Sequence, residues 1–120
     1  MVDAVETKRI AASIPGITDE SGDGRLIFSI DGKGVAWTFM QRDTPRQKRW
    51  PNIEVLAISC PLEQKDLLIE AAAGIYFDDP HYHGYPAVLT RLPAIGAEEL
   101  THRLREGIAF RSSRPKRRRK

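Results

Sequence analysis

Only one cysteine, Cys60, occurs in the 120 residues, so no internal disulfide forms and a reducing compartment is expected. Hydrophobic runs are equally scarce: Val55 to Ile58 is short, and Ala71 to Phe77 is broken by Gly74. Neither approaches the ~18–20 apolar residues that span a bilayer, so no membrane partner is expected. The opening Met-Val-Asp-Ala-Val-Glu-Thr-Lys-Arg-Ile mixes acids with bases and lacks the apolar centre of a signal peptide. A cytoplasmic protein follows. Acids are absent from residues 111–120, where seven of the 19 Lys and Arg stand. The other 12 bases face all 16 acids, so residues 1–110 carry about −4 and the end about +7. This partition excludes a domain that grips nucleic acid through bulk charge; only the tail or a local patch can do so.

What is present suffices for one core. Apolar residues make up 41% and charged residues 29%, both near globular averages, and 120 residues hold one domain. Asp3 to Ser13 reads as a helix with Val5, Ile10 and Ala12 on its apolar side, stopped by Pro15-Gly16. Thr18 to Arg25 is polar and glycine-bearing, hence a loop. Two β-rich runs, Arg25 to Ile30 and Gly34 to Met40, flank Asp31-Gly32-Lys33, which predicts a tight hairpin. Gln41 to Asn52 is a polar loop, and Ile53 to Ser59 a strand.

Pro61 opens a second helix, with Leu62, Leu68, Ile69 and Ala72 on its buried side. Ile75 to Phe77 and Ala87 to Leu92 are strands. Leu100, Leu104 and Ile108 recur at helical spacing in a last helix. The order α-β-β-β-α-β-β-α predicts an α+β domain, a mostly antiparallel sheet with helices packed on one face. It spans residues 1–111, and residues 112–120 form a disordered polybasic tail.

The chemistry is concentrated in Phe77-Asp-Asp-Pro-His-Tyr-His-Gly-Tyr-Pro-Ala-Val-Leu-Thr-Arg91. His81, Tyr82, His83, Gly84, Tyr85 and Arg91 form a turn and strand surface suited to binding. On an extended strand His81 and His83 share a face and, with Asp78 and Asp79, would suit zinc or iron. The set lacks a fourth well-spaced ligand, so no metal or cofactor is expected.

Strand alternation puts Trp37 and Phe39 on one face, with Trp37 expected in the core. Tyr82 is expected to be the exposed ring. Arg91, opposite in parity to Val88, falls on the open face of the sheet near the turn.

Catalysis is not expected. There is no Gly-x-Ser-x-Gly elbow, and Cys60 lacks the electropositive setting of a reactive thiolate. Gly32-Lys33-Gly34 serves a hairpin rather than a phosphate loop.

Arg42, Arg46, Lys48 and Arg49 crowd a loop ending on Trp50, offering cations for phosphates and a ring for stacking. Arg114, Lys116, Arg117, Arg118, Arg119 and Lys120 add backbone-tracking charge. Nucleic acid is therefore the expected partner. The other candidate is a protein or small-molecule ligand in a shallow cleft lined by Trp37, Tyr76, Tyr82, Tyr85 and Arg91.

Four pieces in order give a family resemblance. They are the helix ending Ser13-Ile14-Pro15-Gly16, the hairpin Phe28 to Met40 with its Gly-Lys-Gly-Val-Ala-Trp centre, the helix entered through Pro61-Leu62-Glu63, and the run Phe77 to Leu89 followed by Arg91-Leu92 and a Glu-Glu-Leu helix. The chain resembles the MmcQ/YjbR-like family of small bacterial domains, with a CyaY-like, double-wing DNA-binding-like fold. That resemblance implies a DNA-binding module. The chain departs from the family pattern in its lengthened basic loop Gln41 to Trp50 and its polybasic end. Frataxins, which share the outline, bind iron on an acidic first helix, whereas Asp3 to Ser13 holds only Asp3 and Glu6 as acids.

Overall fold

Local signals set the first elements of the structure, a computed structural model that describes residues 1–113. Helix α1 covers Ala4–Ala12, and the Asp3 carboxylate accepts from the Glu6 N–H at 2.8 Å as its N-cap. Its inward residues are Thr7, Ile10 and Ala11, whereas Val5 is exposed, a one-step rotation from the expected stripe.

Strands β2 (Ile27–Ile30) and β3 (Lys33–Gln41) form the expected hairpin. Asp31 and Gly32 both take positive φ, 49° and 77°, the turn geometry that matches strand twist. Strand β1, Thr18–Asp19, lies where a loop was expected. It is polar and exposed and exists only through edge pairing with Phe28 and Ser29, so no apolar pattern announces it.

Strand β4 runs Trp50–Ser59, three residues longer at its start than the apolar run suggests. Phe39, Met40 and Gln41 pair with Asn52, Pro51 and Trp50 after a register break beyond Thr38. Pro51 is tolerated because strand β6 (Ala87–Arg91) pairs β4 only from Val55 onward, leaving the start of β4 as an edge. With β5 (Tyr76–Phe77), all neighbours are antiparallel in the order β1-β2-β3-β4-β6-β5.

Helix α2 spans Leu62–Ala71 and α3 spans Ala97–Ser113. Thus α3 carries through Ser112 and Ser113, past the expected tail boundary. The tail residues Arg114, Lys116, Arg117, Arg118, Arg119 and Lys120 lie outside the described residues. Gly107 lets α3 lie close to the sheet: a Cβ there would stand 3.1 Å from the Ser59 carbonyl oxygen and 3.3 Å from Val35.

Alternation sorts the sheet into two faces. Phe28, Val35, Leu56, Ile58, Tyr76 and Val88 join Leu100 and Leu104 of α3 and Ile10 of α1 in the main core. Val55, Ala57, Ala87, Leu89 and Phe39 build a smaller cluster on the other face, capped by Tyr82, with Trp37 and Phe77 against it. The helices serve the first core; the Phe77–Arg91 segment covers the second.

In α2 the expected apolar side is only partly realised. Leu68, Ile69 and Ala72 pack against the main core, but Leu62 is exposed and the buried residue is Lys65.

Candidate functional site

The segment after β5 is shaped first by its own side chains. Asp79 caps a single 3-10 turn, Pro80–Tyr82, by accepting from the His81 N–H at 2.9 Å. The chain then reverses at Gly84 with φ +76°, a backbone state that costs little without a Cβ. This sends Tyr82 inward onto Phe39, against its expected exposure, and leaves Tyr85 outward. Tyr82 is 8% exposed and Tyr85 49%.

Lys65 then fixes the turn from below. Its side chain is 2% exposed, and Nζ donates to the carbonyls of Tyr82 (2.7 Å) and Tyr85 (3.0 Å) and lies 3.0 Å from Asp78 Oδ1. Three ammonium protons meet three acceptors, so a buried charge is satisfied in full. Asp78 feels the consequence. Partial burial pushes its pKa up, but the hydrogen bond from Lys65, the Asp79 backbone N–H, the Lys65 charge and His83 together bring it below its ordinary value. Lys65 gives no sequence signal, since in Glu-Gln-Lys-Asp it looks like part of a solvated face.

Above this platform stand four rings. Trp37 Nε1 donates to Tyr82 Oη at 2.8 Å. Tyr85 meets Trp37 at 6.4 Å and 74°, and Tyr82 at 5.8 Å and 87°; His81 meets Tyr82 at 5.5 Å and 76°. Trp37, His81, Tyr82 and Tyr85 line an open cavity of about 310 Å³. Trp37 therefore belongs to a half-buried wall on the face away from the helices, rather than to the core beneath them. Burial raises the Tyr82 phenol, and the Trp37 N–H and Arg49 only partly offset it, so the hydroxyl keeps its proton.

The basic loop reaches the same face. Gln41 and Trp50 are paired two residues beyond Phe39 and Asn52, so they share the side on which Phe39 touches Tyr82. Trp50 is 38% exposed, its Nε1 lies 3.4 Å from Asp43 Oδ2, and it stands on β4 rather than in the loop. Arg49 is half-buried, donates from Nη1 to the Met40 carbonyl at 3.1 Å, and acts electrostatically on Tyr82. Arg42, Arg46 and Lys48 are exposed.

Other expected site residues are not brought together. Arg91 does lie on the turn's face, but its guanidinium sits 4.1 Å over the Phe77 ring and donates to the Ala73 carbonyl at 3.1 Å. It holds β5 in place and is not a free cation. His83 points to Asp78 (Nδ1 to Oδ2, 3.6 Å), away from the His81–Tyr82 contact. The two imidazoles do not share a strand face, because the segment is a 3-10 turn. Among the described residues no group of three His, Cys, Asp or Glu is placed to hold a metal ion. Tyr76 is not in the cleft either: it is buried on the helix face, its Oη 2.5 Å from Glu99 Oε2. Burial pushes the Cys60 thiol up to about 11, with Lys65 and Arg103 opposing, so at neutral pH it is a thiol and not a nucleophile.

A larger groove of about 600 Å³ lies between α1 and β4, lined by Val5, Ile53 and Pro93 with Asp3, Glu6 and Glu54. Its acids disfavour an anionic ligand. Among the described residues no helix is long and apolar enough to cross a membrane.

No family model matches the chain. No curated protein matches it. Among solved structures it is similar to Deinococcus radiodurans protein DR2400, whose domain is assigned to DUF419, with 17% sequence identity and a TM-score of 0.68 over 94% of this chain and 80% of that one. At that identity the likeness speaks to architecture alone: this chain has the α+β fold seen in the DR2400 domain.

Proposed function

We propose that this chain is a non-catalytic, cytoplasmic nucleic-acid-binding module, MmcQ/YjbR-like, that holds DNA mainly through its backbone with weak sequence preference. The observation that carries the proposal is that Arg49 and Trp50 stand on the sheet face that carries the Lys65-anchored turn, close enough for Arg49 to act electrostatically on Tyr82. Arg42, Arg46 and Lys48 extend that edge as exposed cations for phosphates. Arg114, Lys116, Arg117, Arg118, Arg119 and Lys120 add sequence-independent charge to a body that is otherwise anionic. Among the described residues no helix combines a basic face with base-reading side chains at suitable spacing, so groove readout is not part of the proposal.

Fluorescence anisotropy with labelled duplex and single-stranded DNA tests it. If about six cations engage phosphates, affinity falls on the order of 10³-fold between about 50 and 200 mM salt. No retention by micromolar protein at the lower salt overturns the proposal.

The second reading, a ligand- or protein-interaction module centred on Phe77 to Arg91, is favoured by the rigidity Lys65 gives the turn. It expects binding of the partner to survive deletion of residues 114–120 and to be lost in Tyr85→Ala. The nucleic-acid reading expects the deletion to weaken DNA binding the more.

A further inference from the structure

We infer that the cavity walled by Trp37, His81, Tyr82 and Tyr85 is a stacking site for one unpaired nucleobase, so that the protein prefers single-stranded over duplex nucleic acid. This rests on the nucleic-acid reading above and names what that surface takes.

The rings stand nearly perpendicular to one another, Tyr85 to Tyr82 at 87° and to Trp37 at 74°. A planar guest that stacks on one ring therefore presents its edge to another, the two arrangements aromatic pairs favour. At about 310 Å³ the space is at the small end for ligand sites and suits one ring system. The walls are held before any ligand arrives: Trp37 is tied to Tyr82 Oη, and the backbone of Tyr82 and Tyr85 is tied to Lys65. Little ordering cost then falls on binding.

Polar recognition is sparse. The Trp37 N–H is already donated to Tyr82, which leaves the Tyr82 hydroxyl proton, the Tyr85 hydroxyl and the exposed His81 ring to address a base edge. Such a site accepts every base and discriminates weakly among them.

A perpendicular set of rings also suits a methylated ammonium ion. The neighbouring charge decides between the two. Arg49 and Asp79 act on Tyr82 with opposite signs, Arg49 the more strongly, so the balance at this ring favours the phosphate next to a base over a cation. In a duplex both faces of a base are covered by its neighbours, so only an unpaired base can enter.

The test is anisotropy on the full chain with three probes: a single-stranded oligothymidylate, an abasic strand of equal length and charge, and a duplex. The base-bearing strand should bind about tenfold more tightly than the abasic strand. Tyr85→Ala, at an exposed position, should abolish that difference while leaving the salt dependence of the remaining binding unchanged. Equal binding of base-bearing and abasic strands, or a Tyr85→Ala protein that keeps the difference, overturns the stacking site but leaves backbone binding standing. No binding of any strand overturns both. Saturable binding of a trimethyl-lysine peptide, lost in Tyr85→Ala, with no preference for bases, assigns the cavity to an ammonium ligand instead and overturns the inference.

Discussion

Lys65 turns a surface-like position into the anchor of the candidate site, since its ammonium joins two backbone carbonyls and a carboxylate across 13 to 20 residues of chain. Lys65→Met keeps much of the volume but removes a charged donor from the Tyr82 and Tyr85 carbonyls, which retain the Tyr85 and Ala87 N–H groups, and takes the ammonium from Asp78. A hydrogen bond from a charged donor contributes about 1.5–3 kcal/mol, and a stability loss of that order should appear in urea titration. Hydrogen exchange should rise at Tyr85 and Ala87 more than in α3. Asp78 gives the matching pH dependence. Its pKa is lower in the folded state than its ordinary 3.8, so its contribution is present above the unfolded value and is lost as pH falls through the folded one. Acid titration of stability should therefore show a component below about pH 4 that Asp78→Asn removes. The Cys60 thiol, by contrast, has no part in the site: it is buried and its deprotonation is suppressed.

Elements were legible where the chain decides them locally. Asp31-Gly32 dictates its hairpin through two positive φ angles, and Asp3 its helix start through a capping bond; both needed no distant partner. Elements defined by pairing were not legible. The polar pair Thr18–Asp19 and the proline-containing start of β4 become strands only because β2 and β3 lie beside them. The inward side of α2 differs from its apolar pattern for a related reason: Leu62 is expected inside, yet the helix meets the short β5 and the turn, and the turn's carbonyls select Lys65. The α3–sheet contact yields a prediction at this scale. Gly107→Leu would force a side chain against the Ser59 carbonyl and Val35, and should destabilise by about 1–3 kcal/mol in thermal or urea unfolding, with no loss expected of the Asp31-Gly32 hairpin's local geometry.

For the whole molecule, the two sheet faces divide the labour: helices stabilise one, and the aromatic turn and basic loop occupy the other. The charge partition adds a second asymmetry, an anionic body with cations in one loop and beyond α3. Deleting residues 114–120 removes six cations, so the slope of log affinity against log salt on duplex DNA should become shallower by up to about 5. An unchanged slope would assign the binding to the loop and sheet face alone. The amino-acid sequence by itself determined the α+β class, the hairpin, the existence of the three helices and the separation of charge, because these follow from short-range sterics, hydrogen bonding and composition. Only the tertiary structure decided that Tyr82 turns in, Tyr85 turns out, Trp37 stands away from the helices and Lys65 is buried. Each of those depends on contacts between segments remote along the chain, and burial energy belongs to the assembled neighbours, which no local pattern of residues encodes.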